Sequence, residues 1–119
     1  MRIYDFGAAD GRPITQFGSE RVTITGIVRV MGGDVQVGCM HLSPGGRVGA
    51  HRATTRQLFL VVRGEGWVRG PELERTPIVA DQAAFWEPGE EHESGSDTGM
   101  VALVVEGDTL APDQFMRRV

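Results

Sequence analysis

Two histidines and a glutamine are the residues of this sequence whose types and spacing could do chemistry. His51 is followed by Ala53 and Gln57, and His92 lies further along the chain. Residues two apart on a strand share a face, so His51 and position 53 point the same way, and Gln57 can be brought opposite them. Imidazole suits Zn, Cu, Fe and Ni, with a carboxylate or open positions completing the coordination. Ordinary polar residues near strand ends are the alternative interpretation.

The segments that must position these residues read as short strands separated by turns. Runs rich in Val, Ile and Thr, bounded by Gly, Pro and Asp, are typical of strands, and no helical period of useful length is present. About eight or nine such strands favour an all-β sandwich or barrel. We predict strands over residues 21–31, 35–42, 57–63, 67–69, 76–79, 83–86 and 100–106, with further strands around His51 and from His92. We predict turns over residues 32–34, 43–46, 64–66, 70–72 and 95–99, and a short helix around residues 112–116.

Length and composition indicate one ordinary globular domain. The chain has 119 residues, a net charge of −4 and one cysteine, Cys39. The acidic balance gives no support for nucleic-acid or anionic-membrane binding. All twelve basic residues are Arg, so Schiff-base chemistry through Lys is excluded. A single cysteine excludes an intrachain disulfide and fits a reducing compartment, and the first residues lack an apolar signal-peptide run. We therefore expect a cytoplasmic protein, and the lack of Lys and Asn suggests a GC-rich bacterial genome.

The spacing around His51 and His92 resembles that of the cupin superfamily, in its small single-domain conserved-barrel form. The family's first motif places a Gly, a His-x-His, a Glu and a Gly at fixed intervals. Here Gly45, His51, Gln57 and Gly64 occupy those places. The second motif places a Gly, a Pro-x-Gly, a His and an Asn. Gly89 and His92 match it, whereas Asp81, Glu87 and Ser96 stand where the Gly, Pro and Asn belong.

This resemblance implies a jelly-roll β-barrel of two antiparallel sheets and covers about residues 20–106. It divides the chain into an N-terminal arm (1–20), a barrel (21–106) and a C-terminal tail (107–119). It also implies a ligand cage inside the barrel and a homodimer, and we expect Phe59 and Trp86 to line the pocket beside His51, Gln57 and His92. Core packing of these aromatic rings is the alternative.

The departures from the family pattern concern the metal ligands. Metal-binding cupins are expected to use two His and one Glu from the first motif and one His from the second. Ala53 replaces the second His and cannot coordinate a metal, and Gln57 replaces the Glu with a weaker, uncharged ligand. His51, Gln57 and His92 survive, and they could still hold a divalent transition metal such as Zn, Fe, Ni or Mn.

Other residues near the motifs could compensate for the lost ligands. Cys39 and His41 share one strand face and could point into the barrel, His41 as a replacement ligand and Cys39 as a small core residue. Glu87, Glu90, Glu91 and Glu93 surround His92, although such an acidic run is usually a solvated loop.

Three functions follow from the sequence. The first is a small-molecule-binding protein whose metal site is reduced or lost. The alternative is a metal-dependent enzyme of dioxygenase or isomerase type that uses His51, Gln57 and His92, and a dimerisation module is a third possibility. The sequence does not identify the ligand.

Overall fold

The computed structural model describes residues 1–29 and 35–119, and this part of the chain is built almost entirely of β-strands. No helix in these ranges is both long and apolar enough to cross a membrane. Three short 3₁₀ turns occupy Ala8–Asp10, Gln16–Gly18 and Pro112–Gln114. The strands are β1 (Arg12–Pro13), β2 (Glu20–Arg29), β3 (Gln36–Arg52), β4 (Gln57–Arg69), β5 (Thr76–Val79), β6 (Ala83–Trp86), β7 (Glu91–Ser96) and β8 (Met100–Glu106).

The two longest strands, β3 and β4, close the barrel because each of them pairs with several different neighbours. The first half of β3 pairs with β2 and β8, and its second half pairs with β7. The first half of β4 pairs with β6 and β8, and its second half pairs with β5 and β7. All these pairings are antiparallel, so the predicted all-β barrel is confirmed. Its two layers are joined into one continuous sheet by the shared strands.

One face of the strands fills the barrel with apolar side chains. Strand alternation places residues i and i+2 on the same side, and the inward positions of β4 and β8 are accordingly buried. Phe59 is 1% exposed and Ala102 is fully buried. The core cluster consists of Val22, Met40, Leu42, Val48, Ala53, Phe59, Val61, Val68, Ile78, Trp86, Met100, Ala102 and Val104.

Several predicted boundaries are confirmed, and others are wrong. The strands predicted over residues 76–79, 83–86 and 100–106 match β5, β6 and β8, and the predicted C-terminal helix is the 3₁₀ turn Pro112–Gln114. The turns predicted over 43–46 and 64–66 are wrong because these residues lie inside β3 and β4. The separate strand predicted over 67–69 is therefore the end of β4. The predicted turn over 95–99 overlaps the end of β7, and the predicted turn over 32–34 lies outside the described residues.

Glycine in the left-handed backbone region explains why a turn-like sequence can continue as a strand. Gly45 has φ +79° and Gly64 has φ +81°, and only glycine adopts this conformation at little cost. Gly89, the matching glycine of the second motif, has φ +85°. Asp81 stands where that motif expects its first glycine, and it keeps the same conformation at φ +72°. Asp is among the residues that tolerate this region, so the substitution preserves the local turn.

The N-terminal segment packs onto its own barrel. β1 adds to the edge of β2, with Arg12 opposite Ile24 and Pro13 opposite Thr23. The Thr25 hydroxyl donates a hydrogen bond to the Gly7 carbonyl at 3.0 Å. The first residues thus cover part of the outer sheet surface, and residues from Arg12 onward reach the rim of the barrel.

Candidate functional site

His51 and His92 face each other across the ladder between β3 and β7. They are register partners, and their ring centroids lie 4.3 Å apart with the ring planes inclined at 57°. A β-bulge in β3 precedes His51, between Val48 and His51. Such a bulge shifts which residues face inward and re-aims a side chain. The structure therefore brings the two sequence-predicted histidines together.

Both imidazoles are held in one tautomer by a backbone carbonyl two residues earlier. His51 Nδ1 lies 2.8 Å from the Gly49 carbonyl oxygen, and His92 Nδ1 lies 3.3 Å from the Glu90 carbonyl oxygen. A carbonyl oxygen only accepts, so each Nδ1 carries the proton that it donates. In the neutral rings, each Nε2 therefore presents a lone pair as an acceptor or as a metal ligand.

The Nε2 atom of His92 is buried without a hydrogen-bond partner among the described residues. Its residue is 3% exposed. Burial, together with the nearby His51 and Arg69, lowers the pKa of His92 from 6.5 to about 4. His92 is consequently neutral at pH 7 and offers its lone pair. Leaving such an atom unpaired is costly, so a bound molecule that donates a hydrogen bond to it would be stabilised there.

Aromatic rings flank the imidazole pair on both sides. Phe17 stacks on His51 with centroids 4.2 Å apart and an interplanar angle of 9°. Trp86 stacks on His92 at 4.5 Å, and Phe59 meets Trp86 edge-on at 6.2 Å. Stacking and edge contacts of this kind hold the rings in defined orientations. The imidazoles are thus fixed by packing as well as by their hydrogen bonds.

These rings border a cavity of about 190 Å³ that opens at the barrel rim. The volume is below the ~300–1,000 Å³ typical of drug-sized ligand sites, which suits a small molecule. All five sequence-predicted pocket residues, His51, Gln57, Phe59, Trp86 and His92, lie on its wall. The remaining wall residues are Arg12, Ile14, Gln16, Phe17, Ile24, Met40, Val48, Ser94, Val104 and Glu106.

A row of polar side chains runs across three adjacent strands at the rim. Gln36 of β3 and Gln57 of β4 are both register partners of Glu106 in β8. Cross-strand partners project on the same face, and Phe59, two residues after Gln57, lies in the core, so this face is the inner one. The Gln36 amide donates a hydrogen bond to the Glu106 carboxylate at 2.6 Å. A carboxylate therefore stands beside Gln57 on the neighbouring strand, where sequence reasoning did not place one.

The side chains at this site do not fit a tightly held divalent metal. The donors near the imidazole pair are two Nε2 atoms and the neutral Gln57 amide, and Ala53, 5% exposed in the apolar core, supplies none. Glu106 lines the same cavity, but its carboxylate accepts a hydrogen bond from Gln36. Within the described residues, no group of three His, Cys, Asp or Glu side chains is arranged to hold a metal ion. A hard or borderline cation is ordinarily bound with at least one charge-compensating anionic ligand or a third imidazole.

Cys39 and His41 do not point into the barrel, so the prediction of His41 as a replacement ligand is wrong, whereas the prediction of Cys39 as a small buried residue is confirmed. Their neighbours Met40 and Leu42 belong to the core, so Cys39 and His41 face the opposite side of β3. His41 Nε2 lies 3.2 Å from the Phe6 carbonyl oxygen, beneath the N-terminal segment. Cys39 is 1% exposed, and burial raises the pKa of its thiol, which disfavours the reactive thiolate.

The acidic run around His92 is only partly solvated. Glu93 alternates with His92 and faces outward, yet it is 8% exposed. It pairs with the equally buried Arg69 at 2.7 Å and with Arg47 at 3.3 Å. Glu91 also pairs with Arg69, at 3.1 Å, and Glu87 pairs with Arg56 nearer to solvent. Glu93 therefore holds β7 to β4, and it is not a replacement metal ligand.

Sequence reasoning missed the contribution of the N-terminal segment to the site. Arg12, Gln16 and Phe17 line the cavity although they lie within the region predicted to be an arm with little core of its own. Phe17 adopts φ +61° and ψ +23°, which is unfavourable for a residue with a side chain. No local pattern marks this conformation, and only the pairing of β1 with β2 brings these residues to the rim.

Comparison with known proteins places the fold. No protein-family model matches the sequence, and no curated protein matches it. Solved structures do match. A cupin-like protein from Thermotoga maritima superposes with a TM-score of 0.76 at 18% identity, over 92% of this chain and 83% of that one.

Two further solved structures match, and one of them carries a name that indicates an activity. A predicted oxalate decarboxylase from Thermotoga maritima matches with a TM-score of 0.75 and 21% identity, over 87% of this chain and 98% of that chain. KdgF from Halomonas sp. matches with a TM-score of 0.71 and 14% identity, over 89% and 93% of the two chains. At these identities the comparisons establish that the chain has the cupin fold, and they say nothing of its chemistry.

Proposed function

We propose that this cupin-fold protein binds a small organic molecule in the barrel cavity, and that its two imidazoles accept hydrogen bonds from that molecule in place of holding a resident metal. One observation carries the proposal. The His92 Nε2 atom is buried and aromatic side chains surround its ring, but no described residue donates to it. A hydroxyl or N–H group of a ligand would satisfy it.

Three features indicate that the cavity is a ligand-binding site and not a gap in an apolar core. The His51 and His92 tautomers are set by backbone carbonyls, so the two acceptors exist before any ligand arrives. The walls combine apolar surface from Phe59 and Trp86 with a few polar groups, which is the usual composition of a small-molecule site. Gln57 is 9% exposed and adds a donor group and an acceptor group beside the pair.

The alternative function, a metal-dependent enzyme of dioxygenase or isomerase type using His51, Gln57 and His92, is favoured by the spacing of the imidazoles. Two imidazoles that share a first-row metal at about 2.1 Å and a right angle place their ring centres about 4.5 Å apart. The observed 4.3 Å is close to that value. The third imidazole is missing, and among the described residues the Glu106 carboxylate forms no metal-holding group with the two histidines. Both facts argue against tight retention of such a metal, and the name of the predicted oxalate decarboxylase does not change them.

Elemental analysis and histidine NMR together decide between the two functions. Protein purified without added metal and dialysed against a chelator should contain well under one equivalent of Zn, Fe, Ni or Mn. In the ¹⁵N-labelled protein, His92 Nε2 should show the shift of an unprotonated ring nitrogen, and that shift should move upfield when a hydroxyl-bearing fragment binds.

Matched variants test whether the fragment binds in the barrel cavity. His92→Phe should abolish fragment binding, whereas His41→Phe should leave it unchanged, because His41 lies on the outer face of β3. A stoichiometric metal that resists chelation would overturn the proposal in favour of the metal enzyme. Failure of every fragment to move the His92 signal would overturn the binding function itself.

A further inference from the structure

The cavity contains a cationic group at its rim, opposite in charge to the nearby Glu106. Arg12 is the register partner of Ile24, and Ile24 packs against the core cluster. Since cross-strand partners project on the same face, the Arg12 side chain lies on the inner side of the sheet. Arg12 lines the 190 Å³ cavity and also an adjoining cavity of about 340 Å³. Arg12 therefore borders the space through which a ligand would pass.

Arg12 and Glu106 border the same space without neutralising each other. Among residues 1–29 and 35–119, Arg12 makes no ion pair within 4.0 Å and no side-chain hydrogen bond, whereas Glu106 accepts a hydrogen bond from Gln36. Arg12 is therefore the charged group at the rim that has no ion-pair or hydrogen-bond partner among the described residues. Guanidinium groups match the planar geometry of a carboxylate and bind it through two parallel hydrogen bonds.

We propose that the ligand of this pocket is a small organic acid. Arg12 binds its carboxylate, and a hydroxyl or N–H group of the acid donates a hydrogen bond to His92 or His51. This inference rests on the proposed function. The wall supplies both halves of the recognition: a cation on β1 at the rim, and two imidazoles on β3 and β7 whose Nε2 atoms face a ligand as acceptors. The small cavity volume restricts the carbon skeleton to a few atoms or one ring.

Glu106 limits which charged and polar groups the expected ligand can carry. Its carboxylate lies beside Gln57 and would repel an acid group placed there, so the acid group is directed towards Arg12. The same carboxylate can accept a hydrogen bond from a second donor on the ligand. A hydroxy acid with one carboxylate fits this arrangement better than a dicarboxylate does.

The test compares carboxylates with the amides of the same skeleton. Lactate with lactamide, and 4-hydroxybenzoate with 4-hydroxybenzamide, are titrated into the full-length protein while the imidazole ¹⁵N signals are followed by NMR. For at least one pair, the wild-type protein should bind the carboxylate about tenfold tighter than the amide, the order expected for a charge-assisted bidentate contact.

Three variants separate the roles of the charges. Arg12→Gln should reduce the carboxylate-to-amide preference to about one while amide binding persists, and Glu106→Gln should retain or increase the preference. Arg117→Gln removes an equal charge from the exposed C-terminal tail and should leave the preference at its wild-type value. Circular dichroism and the amide titration confirm that the Arg12 variant is folded.

Each outcome decides the proposal. Equal binding of acid and amide by the wild-type protein, or an Arg12→Gln variant that keeps the preference, overturns the carboxylate site and leaves the binding function standing. Absence of binding by all four compounds rejects both proposals.

Discussion

His92 lies directly opposite His51 across the β3–β7 ladder, and each ring donates its Nδ1 proton to a carbonyl oxygen two residues earlier in its own chain segment. The two imidazoles are therefore equivalent in tautomer but different in environment. His92 is nearly inaccessible and stacked on Trp86, whereas His51 is only partly buried and lies under Phe17. Because His92 is the more deeply buried ring, its pKa is lowered.

We predict that the protein loses stability as the pH falls from about 6.5 to about 4, in part through His92. Its pKa is 6.5 in the unfolded chain and about 4 in the folded protein. Between these values the unfolded state binds a proton that the folded state does not, so the free energy of unfolding falls, on the order of 2 kcal/mol from this group. Urea denaturation at pH 7.5, 6, 5 and 4 measures the loss.

The control for this prediction is a pair of histidine substitutions. His92→Gln should flatten the pH dependence in that window, and His41→Gln should not. An unchanged slope in the His92→Gln protein would show that its titration is not coupled to folding.

We predict that Gln57→Glu raises the affinity of the site for a divalent metal. The new carboxylate would add anionic charge next to the imidazole pair, and affinity for Ni²⁺ or Zn²⁺ should rise at least about tenfold by calorimetry. In the absence of metal, the introduced carboxylate would stand opposite Glu106 in the β4–β8 ladder, and this like-charge pair should lower the melting temperature.

Gln36→Glu provides the matched control, because Gln36 is also a partner of Glu106 but lies away from the imidazoles. The melting temperature of the Gln36→Glu protein should fall about as much as that of the Gln57→Glu protein, but its metal affinity should not rise. If both variants bind metal equally, the gain arises from rim charge alone and not from the histidine pair.

We predict that Gly49→Ala displaces Phe17 from the pocket. A Cβ atom at position 49 would overlap the carbonyl oxygen of Phe17, which is backbone and cannot move without shifting the turn Gln16–Gly18. The substitution should cost about 1–3 kcal/mol of unfolding free energy and remove the ring-current shift of Phe17 on the His51 protons. Gly26→Ala, at a site with nothing within 4 Å, should be close to neutral in both measurements.

We predict that Glu93→Gln is strongly destabilising. Glu93 and Arg69 are each about 10% exposed in their side chains and lie 2.7 Å apart, so removing the carboxylate charge leaves a buried guanidinium with only Glu91 to offset it. Urea denaturation should show that the free energy of unfolding falls by about 3 kcal/mol. Glu87→Gln breaks the exposed pair with Arg56 and should cost less than about 1 kcal/mol. Equal costs for the two variants would contradict this account.

Much of the barrel could be predicted because its strand ends carry explicit signals. Pro88 and Gly89 follow β6, and Gly107 follows β8, so the bounds of these strands were found correctly. The same signals failed at Gly45 and Gly64, where glycine permits a strand to bend and continue. A glycine in the left-handed region and a glycine in a chain reversal look identical in sequence.

The histidine pair could be predicted from motif spacing, but the remainder of the site depends on tertiary pairing. Arg12 and Phe17 reach the cavity through the β1–β2 ladder, and Glu106 enters it through its register with Gln57. Alternation alone does not say which face of residues 35–42 meets the core, because Cys39 on the outer face is as buried as Met40 and Leu42 on the inner one.

The sharing of β3 between the two halves of the barrel has a kinetic consequence. The first half of the strand pairs with β8 and the second with β7, so His51 reaches His92 only when segments distant in sequence have joined. Contacts of this kind form slowly and late in folding. A ligand that recognises the finished pocket should therefore slow the unfolding rate while leaving the refolding rate almost unchanged.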